Sequence, residues 1–155
     1  CIDPWHSEYL VQNDDGGLVD SCIDDYDFDE ALRVFEMNLL PYSNNDINYL
    51  RMPSVAAEQH YSLKTPVHSP SFGSTDYAGG VALLHIDGNH AYEAVRSDIT
   101  AWARHVVAGG WIIIDDYVWP YGDGPQRTGN EFLAQQRERI SCAFVMGTAL
   151  FLQMR

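Results

Sequence analysis

Two short apolar runs, each stopping on carboxylates, constrain this chain more than any other feature. The first is Val81-Ala82-Leu83-Leu84-His85-Ile86, followed by Asp87-Gly88-Asn89-His90; the second is Trp111-Ile112-Ile113-Ile114, followed by Asp115-Asp116-Tyr117. Both are too short for helices and rich in Val, Ile and Leu. They are expected to be strands buried on both faces, with carboxyl ends that open into a site. Between them Tyr92, Val95, Ile99, Trp102 and Val106 recur at three- and four-residue steps, one apolar stripe on a helix of about four turns. Gly109-Gly110 is expected to end that helix, because glycine takes the left-handed conformation without a Cβ clash. Strand, helix, Gly-Gly and strand make a right-handed crossover, so Asp87, Asp115 and Asp116 leave one parallel sheet at the same edge. In open α/β sheets that edge is where ligands bind.

With 155 residues, 46% of them hydrophobic, the chain has enough apolar material for one core, and residues 1–155 are expected to form a single domain. The 22 acidic residues against 9 basic ones, a net charge of -13, argue against a nucleic-acid backbone or an anionic membrane as partner. A neutral or cationic small molecule, or a metal ion, is easier to accommodate, and self-association into a homo-oligomer is compatible with the sequence. Cys1, Cys22 and Cys142 have no C-x-x-C spacing, which indicates neither a disulfide framework nor a zinc site. No apolar run approaches the roughly 20 residues that span a bilayer, and a cytoplasmic location is expected.

At the start, Cys1-Ile2-Asp3-Pro4-Trp5 has the pattern of a strand that ends on an acid, with Pro4 stopping further ladder pairing. Residues 6 to 27, acid-rich and carrying Gly16-Gly17, are expected to be a solvated loop. Asp27, with Glu30 three residues on, is expected to cap a helix whose stripe is Phe28, Leu32, Phe35 and Leu39 and which Pro41 stops. A short strand is expected after Asp46, over residues 47 to 52, then a brief helix opened by Ser54. Residues 62 to 80 should form a loop that could act as a lid, since Pro66, Pro70, Gly73, Gly79 and Gly80 favour turns. A second loop, 119 to 125, should hang over the same edge as Asp115 and Asp116. A helix over 128 to 139, with Phe132 and Leu133 inward, precedes a β-hairpin of 141 to 146 and 149 to 154 about Gly147-Thr148.

Three carboxylates at one sheet edge repel one another unless a cation sits among them, and oxygen ligands favour Mg²⁺, Ca²⁺ or Mn²⁺ over zinc. On spacing alone an equal reading has Asp87 capping the next helix and Asp116 facing solvent. His90, where the loop becomes the helix, is placed to take a proton from a hydroxyl that such a metal has acidified. His85, inside the strand, is expected to be a core residue. Asp3 ends a strand as do the acids that hold ribose hydroxyls in nucleotide-binding sheets, although the glycine-rich turn that normally precedes such an acid has no place in the two residues before it.

Across His85-Ile86-Asp87-Gly88-Asn89-His90-Ala91-Tyr92-Glu93 and Gly109-Gly110-Trp111-Ile112-Ile113-Ile114-Asp115-Asp116-Tyr117, and more loosely from Cys1 to Met154, the sequence resembles class I S-adenosylmethionine-dependent methyltransferases. Within them it looks most like the metal-dependent sugar O-methyltransferases of the macrocin and mycinamicin type. The two motifs lie 28 residues apart, from Asp87 to Asp115. The resemblance implies a Rossmann-like α/β sandwich with a mostly parallel sheet and a C-terminal β-hairpin, lacking here its first βα unit, as in an N-terminally incomplete portion of a longer domain. It implies S-adenosylmethionine and Mg²⁺ or another hard divalent cation as cofactors. Asp87, Asp115 and Asp116 would be the metal ligands and His90 the base. Asp3, Ser54 and Asp87 would contact the methyl donor, and the acceptor would be a hydroxyl of a sugar-containing or other small natural product. Two rivals share these acids: an inactive methyltransferase-like domain and a metal-dependent hydrolase.

Overall fold

The computed structural model describes residues 1–12, 17–23, 26–44, 46–77 and 79–155. Its elements are α1 (Leu18–Ser21), α2 (Phe28–Leu39), α3 (Ser54–Ser62), β1 (Val67–Ser69), β2 (Gly73–Thr75), β3 (Val81–Ile86), α4 (Tyr92–Trp102), β4 (Val106–Ile114), α5 (Gly124–Gln135), β5 (Ile140–Met146) and β6 (Ala149–Met154). They fall into two compact units, Cys1–Val11 with Cys22–Ala78, and Gln12–Ser21 with Gly79–Arg155.

The second unit is a four-stranded sheet in the order β3-β4-β6-β5, with β3 and β4 parallel and the C-terminal hairpin antiparallel. This is the mixed α/β, Rossmann-like arrangement that the sequence predicts. Register explains the burial. Leu84, Ile112, Leu152 and Ala143 form one row across the sheet, and Ile86, Ile114, Leu150 and Val145 form another. Since side chains alternate faces along a strand, both rows point the same way. Ile112, Ile114 and Leu152 are fully buried there, in one core with Val95 and Ile99 of α4 and Phe132 of α5.

The opposite face carries Leu83, Trp111, His85, Ile113, Phe151 and Phe144, and the expectation of strands buried on both faces is corrected. Leu83 is 58% and Phe144 43% exposed. Both lie on β3 and β5, the two edges of this sheet. The same position corrects His85, whose side chain is 47% exposed rather than in the core.

The joint between helix and strand is also corrected. The helix stops at Trp102, and Val106 already opens β4, so Gly109-Gly110 lies inside the strand. Val81 pairs with Val106, but Leu83 pairs with Trp111, which leaves extra residues on β4 as a bulge. Gly109 takes φ +79 there, and a Cβ on Gly110 would stand 2.9 Å from the Val107 carbonyl oxygen and 3.0 Å from that of Ala82. The glycines let the chain bulge between two apolar segments rather than end a helix.

The other joints are closer to expectation. The last helix, α5, begins at Gly124, four residues earlier than expected, with Pro125 in its first turn, and a 3-10 turn over Arg137–Arg139 follows it. The hairpin turns at Gly147, φ +62, as its Gly-Thr predicts.

In the first unit, Asp27 caps α2 by accepting from the Glu30 amide at 2.9 Å. The strand expected after Asp46 shrinks to one parallel bridge, Ile2 with Leu50. The segment expected to be a loop or lid contains the antiparallel pair β1–β2. Asn48, nearly buried, ties that pair down: its amide donates to the Val67 and Gly73 carbonyls and to Thr75 Oγ1 at 3.0–3.2 Å. Trp5, Phe35, Tyr49 and Phe72 build the core here, edge to face with centroids 5.3–6.4 Å apart. Burial and the bond it donates to Glu36 push the Tyr49 hydroxyl up to about 12. Asn48→Ala is expected to cost about 1–3 kcal/mol, because it strands two carbonyls, and chemical denaturation should show it as a lower midpoint with unchanged slope. The acid-rich stretch holds a 3-10 turn at Ser7–Tyr9 and the single turn α1; Asp14, Asp15, Gly16, Asp24 and Asp25 lie outside the described residues.

Candidate active site

Parallel pairing of β3 with β4 sets the site. Ile86 pairs with Ile114, and the Asp115 amide donates to the Ile86 carbonyl at 2.9 Å, so both strands end level and release their carboxylates together. Asp87 is the hub. One oxygen of Asp87 lies within 4.8 Å of ligand atoms on His85 and Asp115, and Asp87 likewise groups with His90 and Asp116. The three acids predicted from the sequence therefore converge pairwise on Asp87, with Asp115 and Asp116 in separate groups that each include a histidine. His85 Nε2 stands 3.4 Å from Asp115 Oδ2, and His90 Nε2 stands 3.4 Å from Asp116 Oδ2.

The backbone is bent to achieve this. Asp116 sits at φ +46, a left-handed conformation that costs a non-glycine residue on the order of 1 kcal/mol, and its amide donates to Asp115 Oδ1 at 2.9 Å. The turn aims Asp116 towards His90 while Asp115 points to His85. Behind it, the Val118 amide donates to the Thr148 carbonyl at 2.9 Å, which anchors the next loop to the hairpin turn.

His90 is placed from the other side. Asn89 Oδ1 accepts from the Ala91 amide at 2.8 Å, which makes the turn before α4. The His90 side chain is 12% exposed and packs on Trp119, with ring centroids 4.5 Å apart. Neither ring nitrogen of His90 has a hydrogen bond among the described residues, a rare state for buried polar atoms and one that a catalytic role can explain. Tyr92 then locks α4 to α5: its hydroxyl donates to Glu131 Oε2 at 2.7 Å while the Arg127 guanidinium lies 3.7 Å from its ring centre. That bond from Tyr92, with Arg127 beside it, holds the Glu131 carboxyl below its ordinary range.

Of the remaining predicted residues, Asp3 and Ser54 belong to the first unit. Asp3 Oδ1 accepts from the Trp5 amide at 2.6 Å, with Trp5 at φ +43, so the strand end is a tight turn around a carboxylate. Burial raises the Asp3 carboxyl above the ordinary range, against the opposing pull of the Trp5 amide. Ser54 opens α3 directly after Pro53.

Residues 1–117 match the family described as a methyltransferase domain, a span that contains the Asp3 turn, both strand ends and all three acids. The chain belongs to that family. Methyl transfer within it implies S-adenosylmethionine as donor. A 38-residue stretch is 42% identical to an uncharacterized protein of Acanthamoeba polyphaga mimivirus, covering 24% of this chain and 17% of the viral protein. No helix among the described residues is long and apolar enough to cross a membrane.

The donor set at this strand edge, carboxylates with one imidazole in each group, suits a hard or borderline divalent cation, since a single nitrogen among oxygens is compatible with Mg²⁺ or Mn²⁺. Sequence reasoning missed His85 and the packing of Trp119 on His90. Strand alternation could have found the first, because His85 shares its parity with Leu83 and not with Ile86.

Proposed function

We propose that this chain catalyses S-adenosylmethionine-dependent O-methylation of a small-molecule hydroxyl, in a sugar-containing or related natural product, with a divalent cation assisting. The observation that carries this is the grouping of Asp87, His90 and Asp116, in which a nearly buried imidazole without hydrogen bonds among the described residues faces two carboxylates. Asp87, Asp115 and Asp116 would hold Mg²⁺ or a similar ion, which when bound supplies Lewis acidity towards neighbouring hydroxyls. His90 takes the proton from the acceptor hydroxyl, and the oxygen attacks the methyl carbon in line as the carbon–sulfur bond breaks and a neutral thioether leaves. Asp3 accepts hydrogen bonds from the donor's ribose, Ser54 approaches its adenine, and Asp87 contributes at the donor's edge. Holding acceptor and methyl carbon in line supplies most of the acceleration. Cys1, Cys22 and Cys142 are exposed and form no disulfide with one another, in keeping with a reducing, cytoplasmic setting for this chemistry.

Calorimetry with S-adenosylmethionine and Mg²⁺ tests the reading. The folded chain should release or absorb heat on donor binding, and Asp3→Asn should weaken binding about 10- to 100-fold, the worth of hydrogen bonds to a charged acceptor. A protonated Asp3 cannot accept both ribose hydroxyls. Because burial raises its carboxyl above the ordinary aspartate range, affinity should begin to fall on acidification at a higher pH than an ordinary aspartate would give. A folded chain with no heat of donor binding overturns the proposal in favour of an inactive domain.

A further inference from the structure

We infer that the outer edge of β5 is a docking surface for a second copy of this chain, the two β5 strands pairing antiparallel about a two-fold axis. The contact is distinct from methyl transfer and needs neither donor nor acceptor. The sheet order β3-β4-β6-β5 leaves β5 with one partner, β6, and an open flank among the described residues. The hairpin decides which backbone groups face that flank. Gly147 and Thr148 form its two-residue turn, which closes on a hydrogen-bonded pair, Met146 with Ala149. Bonding alternates along an antiparallel ladder, so Phe144 also bonds to β6, whereas Ala143 and Val145 turn their N–H and C=O groups outward.

Such an edge templates further pairing, and proteins ordinarily blunt it with charge, proline or a bulge. Over Ile140–Met146 there is neither charge nor proline, in a chain where 20% of residues are charged. The irregularity between Ile140 and Cys142 sits at the start of the strand and leaves residues 142 to 146 regular. Side chains on both faces of this edge are exposed, Phe144 and Met146 on one and Ala143 and Val145 on the other. Phe144 is held in place, stacked on Phe151 with ring centroids 5.2 Å apart, so the apolar edge is preformed and loses little freedom on docking. A second copy carries the same net charge of -13, and most of its surface is repelled. The uncharged strand escapes that repulsion, and a two-fold contact sets its exposed apolar side chains against their own counterparts.

Charge chooses the orientation. β5 runs in the same direction as β4, since both are antiparallel to β6, so Met146 lies towards the sheet edge that carries Asp115 and Asp116. Arg137, Arg139 and Arg155 gather at the opposite end, where the Arg155 amide donates to the Arg139 carbonyl at 2.8 Å, and they outnumber Glu138. Antiparallel docking sets the basic end of each copy towards the acidic end of the other. Parallel docking would set like beside like.

One strand edge with its flanking side chains is a small contact, in the weak and concentration-dependent class. Sedimentation velocity of the full chain, without donor or metal, should therefore show mainly monomer at about 1 μM and mainly dimer at about 100 μM. At the higher concentration the Ala143 and Val145 amides should exchange hydrogen several-fold more slowly, while that of Phe144, already bonded to β6, changes little. Val145→Lys, which puts a like charge on both sides of the axis, should weaken association about ten-fold or more with the circular dichroism spectrum unchanged. Arg155→Glu should weaken it several-fold. Met37→Lys, at an exposed apolar site on α2, should leave the dimer intact. A chain monomeric at both concentrations, a dimer that survives Val145→Lys, or a dimer whose Ala143 and Val145 amides stay unprotected overturns the assignment. The exchange measurement needs no variant and decides the matter where Val145→Lys fails to fold.

Discussion

Asp87→Ala is expected to abolish cation-dependent methyl transfer, with kcat/KM falling on the order of 10³-fold or more, the scale of losing a metal's charge stabilisation in a transition state. Asp87 is the residue that both groups of candidate ligands share, so no rearrangement of Asp115 or Asp116 alone can replace it. It is also exposed, at the end of a strand whose pairing it does not make, and the melting temperature should hardly move. Two partner variants divide the site. Asp116→Asn should lose most of the activity if the ion sits with His90, while Asp115→Asn, which keeps an oxygen for the Asp116 amide, should lose less. Transfer from radiolabelled donor, with and without chelator, gives the readout. Parent-level activity in chelator, or in Asp87→Ala, removes the metal from the scheme.

Gly124→Ala should cost nearly as much by a different route. A Cβ at Gly124 would stand 2.0 Å from the His90 carbonyl oxygen and 2.7 Å from the Tyr92 nitrogen, both backbone atoms that cannot swing aside. Either the start of α5 or the turn carrying His90 must move by about an ångström, and misplacement of that size costs about 10²-fold in rate. The overpacking should also destabilise by about 1–3 kcal/mol, visible as a lower melting temperature. Gly122→Ala is the control, since its nearest neighbour is Trp119 Cδ1 at an ordinary 3.7 Å. Equal behaviour of the two variants would mean that the turn yields freely and that His90 is not held by this contact.

Much of this was legible in the chain, because the signals were strong where the sheet is strong. Hydrophobic runs ending on Asp87 and Asp115 fixed two strands and the edge they share, and Gly147-Thr148 between apolar runs fixed the hairpin. Periodicity also found α2, α4 and the inward residues of α5. It failed at Gly109-Gly110, where the same two glycines serve a helix end or a strand bulge, and only the cross-strand register separates these. It failed again at β1–β2, three-residue strands whose anchor, Asn48, lies some 20 residues away and gives no local signal. The acids of the site were visible because they end strands. The pairing of each with its own histidine was not, since it depends on the left-handed turn at Asp116, which no side-chain pattern announces.

That turn has a consequence for any attempt to harden the protein. Glycine at position 116 would relax the backbone and could raise thermal tolerance, yet it would delete the carboxylate that the contortion exists to aim. Selection for durability and selection for turnover thus pull this single residue in opposite directions, and a heat-screened library should discard catalysis there first.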